Sequence, residues 1–214
     1  RDEVLEITKT YYGNLKDISR SLIQFNTNEI SASNASGDIS VHSAELIIRE
    51  CESIESPTDY TLHAHPVSQS WDVGIGTRFD VISIEGCSWN KRTTLSNWLI
   101  GSASLESSGS HNGKGGMWLT GSSASQTFSY SSSDISMNVL NTVQDWVSGS
   151  IPNNGLILKH DSEKENDTTD YGQLKFFSKE TNTIYQPKIR IGWDDSTYTT
   201  GSLTELTSDD IHVT

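Results

Sequence analysis

The chain has 214 residues, enough to bury a sizeable core in one large domain with or without a tail. Only 33% of them are hydrophobic, and Ser, Thr, Asn and Gly are abundant, which is typical of a sheet protein with many polar turns. The net charge of −13 and the pI near 4.7 disfavour nucleic-acid binding and contact with anionic membranes. No apolar run has transmembrane length, so we expect no membrane insertion.

The first third of the chain is rich in strand patterns. Residues 4–7, 18–25, 39–50 and 60–67 are predicted strands, bounded by polar or turn-forming residues. Residues 26–38 are predicted to form a polar loop. Arg20 lies inside a predicted strand, and we interpret it as a structural ion-pair partner.

Two histidines share one face of the strand predicted at residues 60–67. His63 and His65 are two positions apart, so their side chains point to the same side. Together with a third ligand they could bind a metal ion. No such ligand is close in sequence, and we interpret them as half-exposed polar residues of the strand.

The middle of the chain concentrates tryptophans in polar, glycine-rich segments. Residues 68–98 contain Trp71, Trp89 and Trp98, and the Gly/Ser-rich loop 105–123 contains Trp118. Exposed indole rings form platforms for sugar rings, whereas buried ones close the end of a sandwich. Trp98 and Trp118 are the predicted carbohydrate-binding residues.

A short helix is predicted at residues 139–147, where apolar residues recur with helical spacing. Asn138 stands before it as a candidate N-cap, and Gly149 stands after it as a candidate stop. A turn at residues 151–155 leads into the apolar run 156–159. That run is too short for a helix, so we predict a core strand.

The segment 159–170 is the densest acidic stretch. Asp161, Glu163 and Asp167 alternate as calcium ligands do in some loops, and carboxylates suit hard cations. The segment lacks the glycine and the terminal glutamate of an EF-hand. We interpret the segment as a solvated hairpin tip and expect no cofactor, with a structural calcium ion as the alternative.

The end of the chain is predicted to hold the closing strands at residues 172–179 and 187–193. We expect one sandwich domain at residues 1–193 and a connector to a following domain at residues 194–214. The absence of an initial methionine predicts a portion of a longer or processed polypeptide. Whether Cys51 and Cys87 pair is open, since spacing alone does not decide it.

Several motifs occur in the order found in the DNRLRE domain family, which includes carbohydrate-binding modules. They are a V-x-x-W-x-x-G-x-x-x-N-x-G pattern at residues 143–155, RSLIQF at 20–25, SAELII at 43–48, WDVGIGT at 71–77 and SWNKR at 88–92. The chain resembles this family over residues 18–191. Because the resemblance covers Trp71 and Trp89, it implies that these two rings pack, which leaves Trp98 and Trp118 to be exposed. The resemblance implies a jelly-roll-like antiparallel β-sandwich without catalytic activity. The closing stretch 187–203 is similar to segments of structural proteins of marine tailed phages.

The motifs of common enzymes are missing from the sequence. It contains no ordered Ser, His and Asp set, no paired-carboxylate motif, no HExxH and no nucleotide fingerprint. We therefore expect a non-catalytic structural or adhesion module of a larger surface assembly, such as a virion, with other subunits or its own copies as partners. The alternative is a carbohydrate-binding module. Either role predicts an extracellular or virion-surface location.

Overall fold

The computed structural model describes residues 3–52, 54–55, 59–75, 85–101, 106–129 and 134–195. These residues form an antiparallel β-sandwich with short helices. In chain order the elements are β1 Val4–Tyr12, β2 Leu15–Ser19, β3 Ser21–Ile23, α1 Asn28–Ser36, β4 Ser40–Ile48, β5 Ile54–Glu55, β6 Tyr60–Pro66, β7 Glu106–Ser107, β8 Trp118–Leu119, β9 Ala124–Phe128, β10 Ile135–Asn138, α2 Leu140–Val147, β11 Leu156–His160, α3 Ser162–Asn166, β12 Gly172–Phe177 and β13 Lys188–Asp194.

The strands form two layers. The first layer joins a sheet of order β2-β1-β12-β5 to a sheet of order β10-β4-β13, because Glu50 forms a bridge with Phe176. The second layer is a sheet of order β3-β11-β6-β9. Strands β7 and β8 form a separate small hairpin-like pair. The predicted all-β sandwich is confirmed.

The main core lies between the two layers. Along β6 every second residue is buried, as expected for a strand with one face on the core. Leu156 and Leu158 of β11 meet Ile7, Leu46 and other apolar residues there. Full burial of such a side chain stabilises the fold by about 2 kcal/mol. The predicted core strand at residues 156–159 is confirmed.

Helix α2 closes one end of this core. Val143, Trp146 and Val147 are buried on its apolar stripe. The N-cap residue is Val139, which makes no side-chain capping bond, so the predicted N-cap at Asn138 is one residue early; Asn138 accepts a hydrogen bond from the N–H of Leu140 at 3.0 Å. Gly149 follows the helix with a φ of 75°, which a glycine adopts without strain. The predicted helix is confirmed, one residue shorter at its start.

Three predictions about local structure are wrong. Residues 18–25 are not one strand, because the chain passes from the first layer to the second at Arg20, between β2 and β3. The predicted loop 26–38 contains α1, which buries none of its residues and so has no apolar period to reveal it. The predicted hairpin tip within residues 159–170 contains α3, whose Glu165 is buried.

A covering layer lies on the second sheet, on the side away from the main core. It is built from described residues between 67 and 119, and its apolar cluster contains Val67, Trp98, Met117 and Trp118 packed on Ile157 of β11. As a result, β11 is buried on both faces. No helix in the described ranges has the length and apolar character needed to cross a membrane.

Candidate functional site

A groove with a volume of about 1040 Å³ runs beside β3 at the margin of the sandwich. One wall is formed by the start of β1 and by the residues that follow β12. The opposite wall is formed by the covering layer. Its principal lining residues are Glu6, Leu22, Gln24, Asn26, Asn28, Trp71, Val73, Trp89, Trp98, Lys179 and Glu180.

The floor of the groove presents backbone groups of β3. A Cβ on Gly155 would lie 2.3 Å from the carbonyl oxygen of Ile23, so this oxygen points towards β11. Neighbouring residues of a strand direct their backbone groups to opposite sides. The N–H and C=O of Leu22 therefore point away from β11, towards the groove. In the described part of the chain β3 pairs with β11 alone, so this edge is open.

Three tryptophans form the wall that belongs to the covering layer. The indole N–H of Trp71 donates to the carbonyl oxygen of Asn154 at 2.8 Å, and that of Trp98 donates to Ser88 at 2.9 Å. Trp89 and Trp71 are half-buried, whereas Trp98 is only 5% exposed. The hydrogen bonds hold the rings of Trp71 and Trp98 in place, and part of the ring surface remains accessible from the groove.

Amide side chains that follow β3 line another margin of the groove. Gln24, Asn26 and Asn28 are exposed there, and amide groups suit hydroxyl groups as donors and acceptors. Part of this capacity is used internally, since Gln24 donates to the carbonyl oxygen of Asn153 at 2.9 Å and Asn26 accepts from the N–H of Asn28 at 3.0 Å. This amide-lined margin therefore offers polar groups in the same groove as the tryptophans.

A buried ion pair lies behind the aromatic wall. Arg20 donates to both carboxylate oxygens of Glu165, at 3.0 and 2.7 Å, and their side chains are 2% and 1% exposed. The guanidinium carbon is 4.9 Å from the ring centroid of Trp89 and 5.0 Å from that of Trp118. The interpretation of Arg20 as a structural ion-pair partner is confirmed.

Arg20 also positions the groove wall. Its Nη1 donates to the carbonyl oxygen of Gly115 at 2.7 Å, and the N–H of Gly115 donates to the carbonyl oxygen of Trp89. A Cβ at Gly115 would lie 2.7 Å from both Arg20 and Trp89, so only glycine fits. The ion pair thus fixes the backbone that carries Trp89.

Lys159 is the second cation beside Glu165. Its Nζ lies 3.5 Å from Oε2 of Glu165 and 5.0 Å from the ring centroid of Trp118. Burial lowers the pKa of Lys159 to about 8, although the Glu165 carboxylate acts in the opposite direction. Two cations therefore share one buried carboxylate. Neither Lys159 nor Glu165 was predicted as a partner of Arg20; the lysine at the end of the apolar run 156–159 was the available signal.

Histidines flank this charge cluster. His63 stacks on His65 with ring centroids 5.5 Å apart, and His65 stacks on Trp118 at 5.7 Å. Burial, with Lys159 nearby, lowers the pKa of His65 to about 3. Nε2 of His63 is 3.5 Å from Oδ2 of Asp161, but burial lowers the pKa of His63 as well. Both rings are held neutral next to the excess positive charge.

The predicted exposure of Trp98 and Trp118 is wrong. Trp98 lines the groove, yet only 5% of it is exposed, because it packs on the cluster beneath the covering layer. Trp118 is 2% exposed and lies between Arg20 and Lys159, away from the groove. Trp71 and Trp89, which were expected only to pack, have the more accessible rings.

The predicted calcium ligands do not form a ligand set. Asp161 accepts from the N–H of Glu163 at 2.8 Å and caps α3, while Glu163 points to solvent. Asp167 is 3.6 Å from the buried ammonium of Lys9. Among the described residues, which include these three and both histidines, no group of three His, Cys, Asp or Glu side chains is arranged for a metal ion.

Cys51 and Cys87 are free thiols in this structure. Burial raises the pKa of each, so neither has the character of an activated nucleophile. Cys87 contributes to the groove wall.

Comparisons with protein-family models, with curated proteins and with solved structures found no match to this chain. The resemblance to the DNRLRE family therefore stays a prediction. The connector expected at residues 194–214 lies, from residue 196 onwards, outside the described residues.

Proposed function

We propose that this chain is a non-catalytic adhesion module that binds a carbohydrate in the groove beside β3. The observation that carries the proposal is that half-buried tryptophans and exposed amide side chains line one groove of about 1040 Å³. Indole faces offer apolar surface to the C–H faces of a pyranose ring, and the amides of Gln24, Asn26 and Asn28 suit its hydroxyl groups.

The charges around the groove favour a neutral oligosaccharide. Two cations, Arg20 and Lys179, and two acids, Glu6 and Glu180, line it, so the local formal charge is balanced. The guanidinium of Arg20 is already engaged with Glu165. The net charge of −13 repels anionic chains at long range.

The engagement of both acids supports a non-catalytic role. Oε1 of Glu6 accepts hydrogen bonds from Thr8 at 3.0 Å and from Gln173 at 2.6 Å. Glu180 lies 3.8 Å from the ammonium of Lys179 on the exposed rim. A glycosidase needs two carboxyl groups free to act on the glycosidic bond.

A second candidate function is a structural subunit of a larger surface assembly, such as a phage virion. Among the described residues β13 pairs with β4 alone, and its stretch from Lys188 to Trp193 favours this role, because a strand edge is a template for contact with another chain. The two functions are compatible, since an assembly subunit can also bind a glycan.

The test is a titration of intrinsic tryptophan fluorescence with a panel of neutral and anionic oligosaccharides, supported by calorimetry. We expect neutral members to shift the emission, and Trp71→Ala to weaken their binding about tenfold or more. Trp193→Ala is the matched control, since Trp193 is 49% exposed and lies outside the groove.

A second variant keeps the test decisive if Trp71→Ala proves unstable. Asn28→Ala changes an exposed residue of the amide-lined margin, and we expect it to weaken binding without lowering the melting temperature. The proposal is overturned if no sugar binds at concentrations up to about 10 mM. It is equally overturned if Trp193→Ala weakens binding as much as the groove variants do.

A further inference from the structure

The groove beside β3 follows one face of that strand. Arg20, Leu22 and Gln24 are two positions apart, so their side chains lie on the same side of the chain, and all three line the groove. Leu22 pairs with Ile157 of β11 and packs against the apolar cluster beneath the covering layer. The groove therefore runs along β3, on the side that meets the covering layer.

Trp89 lies at the end of this face where β3 begins. The guanidinium carbon of Arg20, the residue before β3, is 4.9 Å from the ring centroid of Trp89. The same carbon lies 5.0 Å from the ring centroid of Trp118, and so does the ammonium of Lys159. Lys159 follows the last residue of β11 that pairs with β3, so this cluster marks the first end of the strand.

Trp71 lies at the opposite end, where the chain leaves β3. Its indole N–H donates to the carbonyl oxygen of Asn154 at 2.8 Å, and Asn154 comes before β11. The neighbouring Asn153 accepts a hydrogen bond from the side chain of Gln24, the residue after β3, at 2.9 Å. Trp71 is therefore anchored beside Gln24, at the other end of the face that lines the groove.

The two anchor points are too far apart for one sugar ring. Arg20 and Gln24 are four positions apart, and extended backbone of this length spans roughly 13 Å, about three times the length of a pyranose ring. The groove volume of about 1040 Å³ is likewise at the upper limit for a small ligand. Trp71 and Trp89 are both half-buried, so each retains ring surface for a separate sugar unit.

We propose that the groove binds a linear oligosaccharide of about three or more units along β3, with Trp71 and Trp89 in separate subsites. This inference rests on the proposed binding of a sugar in the groove. It goes further by assigning the class of ligand, which is a chain rather than a single sugar, and by giving each tryptophan its own position along that chain.

The two subsites differ in their polar groups. Gln24, Asn26 and Asn28 follow β3, so the amide-lined margin belongs to the Trp71 subsite. That subsite combines an indole face with amide groups, and a short sugar should occupy it first. The Trp89 subsite is then reached only by a longer chain, whose second contact strengthens binding without a second association cost.

The first experiment is calorimetry of the parent chain with neutral β-1,4-linked oligomers of glucose, mannose and xylose, each from one to six units. We expect the affinity for the oligomers that bind to rise more than about tenfold between two and four units and then to level off. Equal affinity at every length overturns this inference, while sugar binding in the groove stands. If no oligomer of any length binds, the proposed function fails, and this inference fails with it.

The second experiment compares two-unit and six-unit oligomers of the same sugar on three variants. Trp89→Ala should leave the affinity for the two-unit sugar unchanged and remove most of the gain from chain length. Trp71→Ala should weaken the binding of both, and Trp193→Ala, outside the groove, should change neither.

Trp89→Phe serves as a second variant if Trp89→Ala lowers the melting temperature, because a phenyl ring can still pack against Arg20. It should remove part of the gain from chain length. In a variant that keeps the parent melting temperature, an equal loss of affinity for the two-unit and the six-unit sugar on changing Trp89 overturns the assignment of separate subsites.

Discussion

The two faces of β11 are both buried, but by different chemistry. Towards the main core, Leu156 and Leu158 meet apolar side chains of both layers. Towards the covering layer, Ile157 packs on the second apolar cluster and Lys159 joins the ion pair of Arg20 with Glu165. The stability that the core face contributes therefore depends on the volume of its side chains. The stability that the other face contributes depends also on the number of buried charges.

The apolar face and the ionic face of β11 stabilise the fold in different ways. An apolar face loses free energy in proportion to the atoms removed and the cavity left behind. An ionic face depends on which partner is removed, because an uncompensated buried charge costs more than the pair contributed. Glu165 is the only acid shown in contact with Arg20 and Lys159 in the described structure, so the ionic face depends on this single residue.

The largest effect is expected from removal of that acid. Glu165→Ala leaves two buried cations without a counter-charge, and we expect the free energy of unfolding to fall by about 4 kcal/mol. Urea denaturation measures this change. Glu163→Ala is the matched control on the same helix, where the side chain is exposed, and it should cost less than about 1 kcal/mol. Equal losses would contradict the central role of Glu165.

On the apolar face, Leu158→Ala should cost about 3 kcal/mol, because the side chain is fully buried and its neighbours relax only partly. Leu95→Ala removes the same atoms from a residue that is 92% exposed, so it should change stability by less than about 0.5 kcal/mol. Urea denaturation measures the free energy of unfolding of the two variants. A difference between them of less than about 1 kcal/mol would show that the main core is loosely packed.

Acidification should weaken the fold because the buried His160 of β11 lies next to the buried cations Lys159 and Lys9. Burial lowers the pKa of His160 to about 4, near Glu165, Lys159, Lys9 and His63, and neither ring nitrogen has a hydrogen-bond partner among the described residues. The folded pKa lies below the unfolded value of about 6.5, so this stability is present above pH 6.5 and is lost as the pH falls towards 4.

Between pH 6.5 and 5 the expected loss from His160 is about 2 kcal/mol. The measurement is the free energy of unfolding in urea at these two pH values, for the parent chain and for His160→Leu. The variant should lose less stability on acidification than the parent. If both respond equally, the titration of His160 does not control the acid stability.

The smallest effect is expected at the second cation. Lys159→Met removes a charge whose burial already lowers its pKa to about 8, and Arg20 still compensates Glu165. We expect the free energy of unfolding to change by less than about 1 kcal/mol, in either direction. The measurement is the free energy of unfolding in urea, for this variant and for Glu165→Ala. A loss above about 2 kcal/mol would mean that Glu165 needs both cations.

Much of the fold was predictable because its elements carry local patterns. The strand at residues 60–67 alternates, and the helix at residues 139–147 has an apolar stripe with Asn138 before it and Gly149 after it. Helix α1 was not predictable in this way, since it buries no residue. The division of residues 18–25 at Arg20 was also hidden, because the chain changes hydrogen-bond partners there without changing its pattern.

The candidate site was less predictable than the fold. Tryptophans in glycine-rich segments indicated an aromatic surface, but the rings expected to be exposed, Trp98 and Trp118, are the more buried ones. Accessibility depends on how the covering layer lies on β11, and no local pattern carries that information. The groove itself arises between segments that are far apart in the chain, such as β3 and the loop of Trp71.

The sequence by itself determined the alternation of β6, the apolar run of β11 and the apolar stripe of α2, because each is a periodic pattern of neighbouring residues. Only the tertiary structure decided which charged side chains are buried and which of them pair. In the sequence Glu165 does not differ from the other acids of its segment. In the folded chain it pairs with Arg20, 145 residues away, beneath the covering layer. The free energy of a charge depends on everything that surrounds it, and those surroundings exist only once the chain has folded.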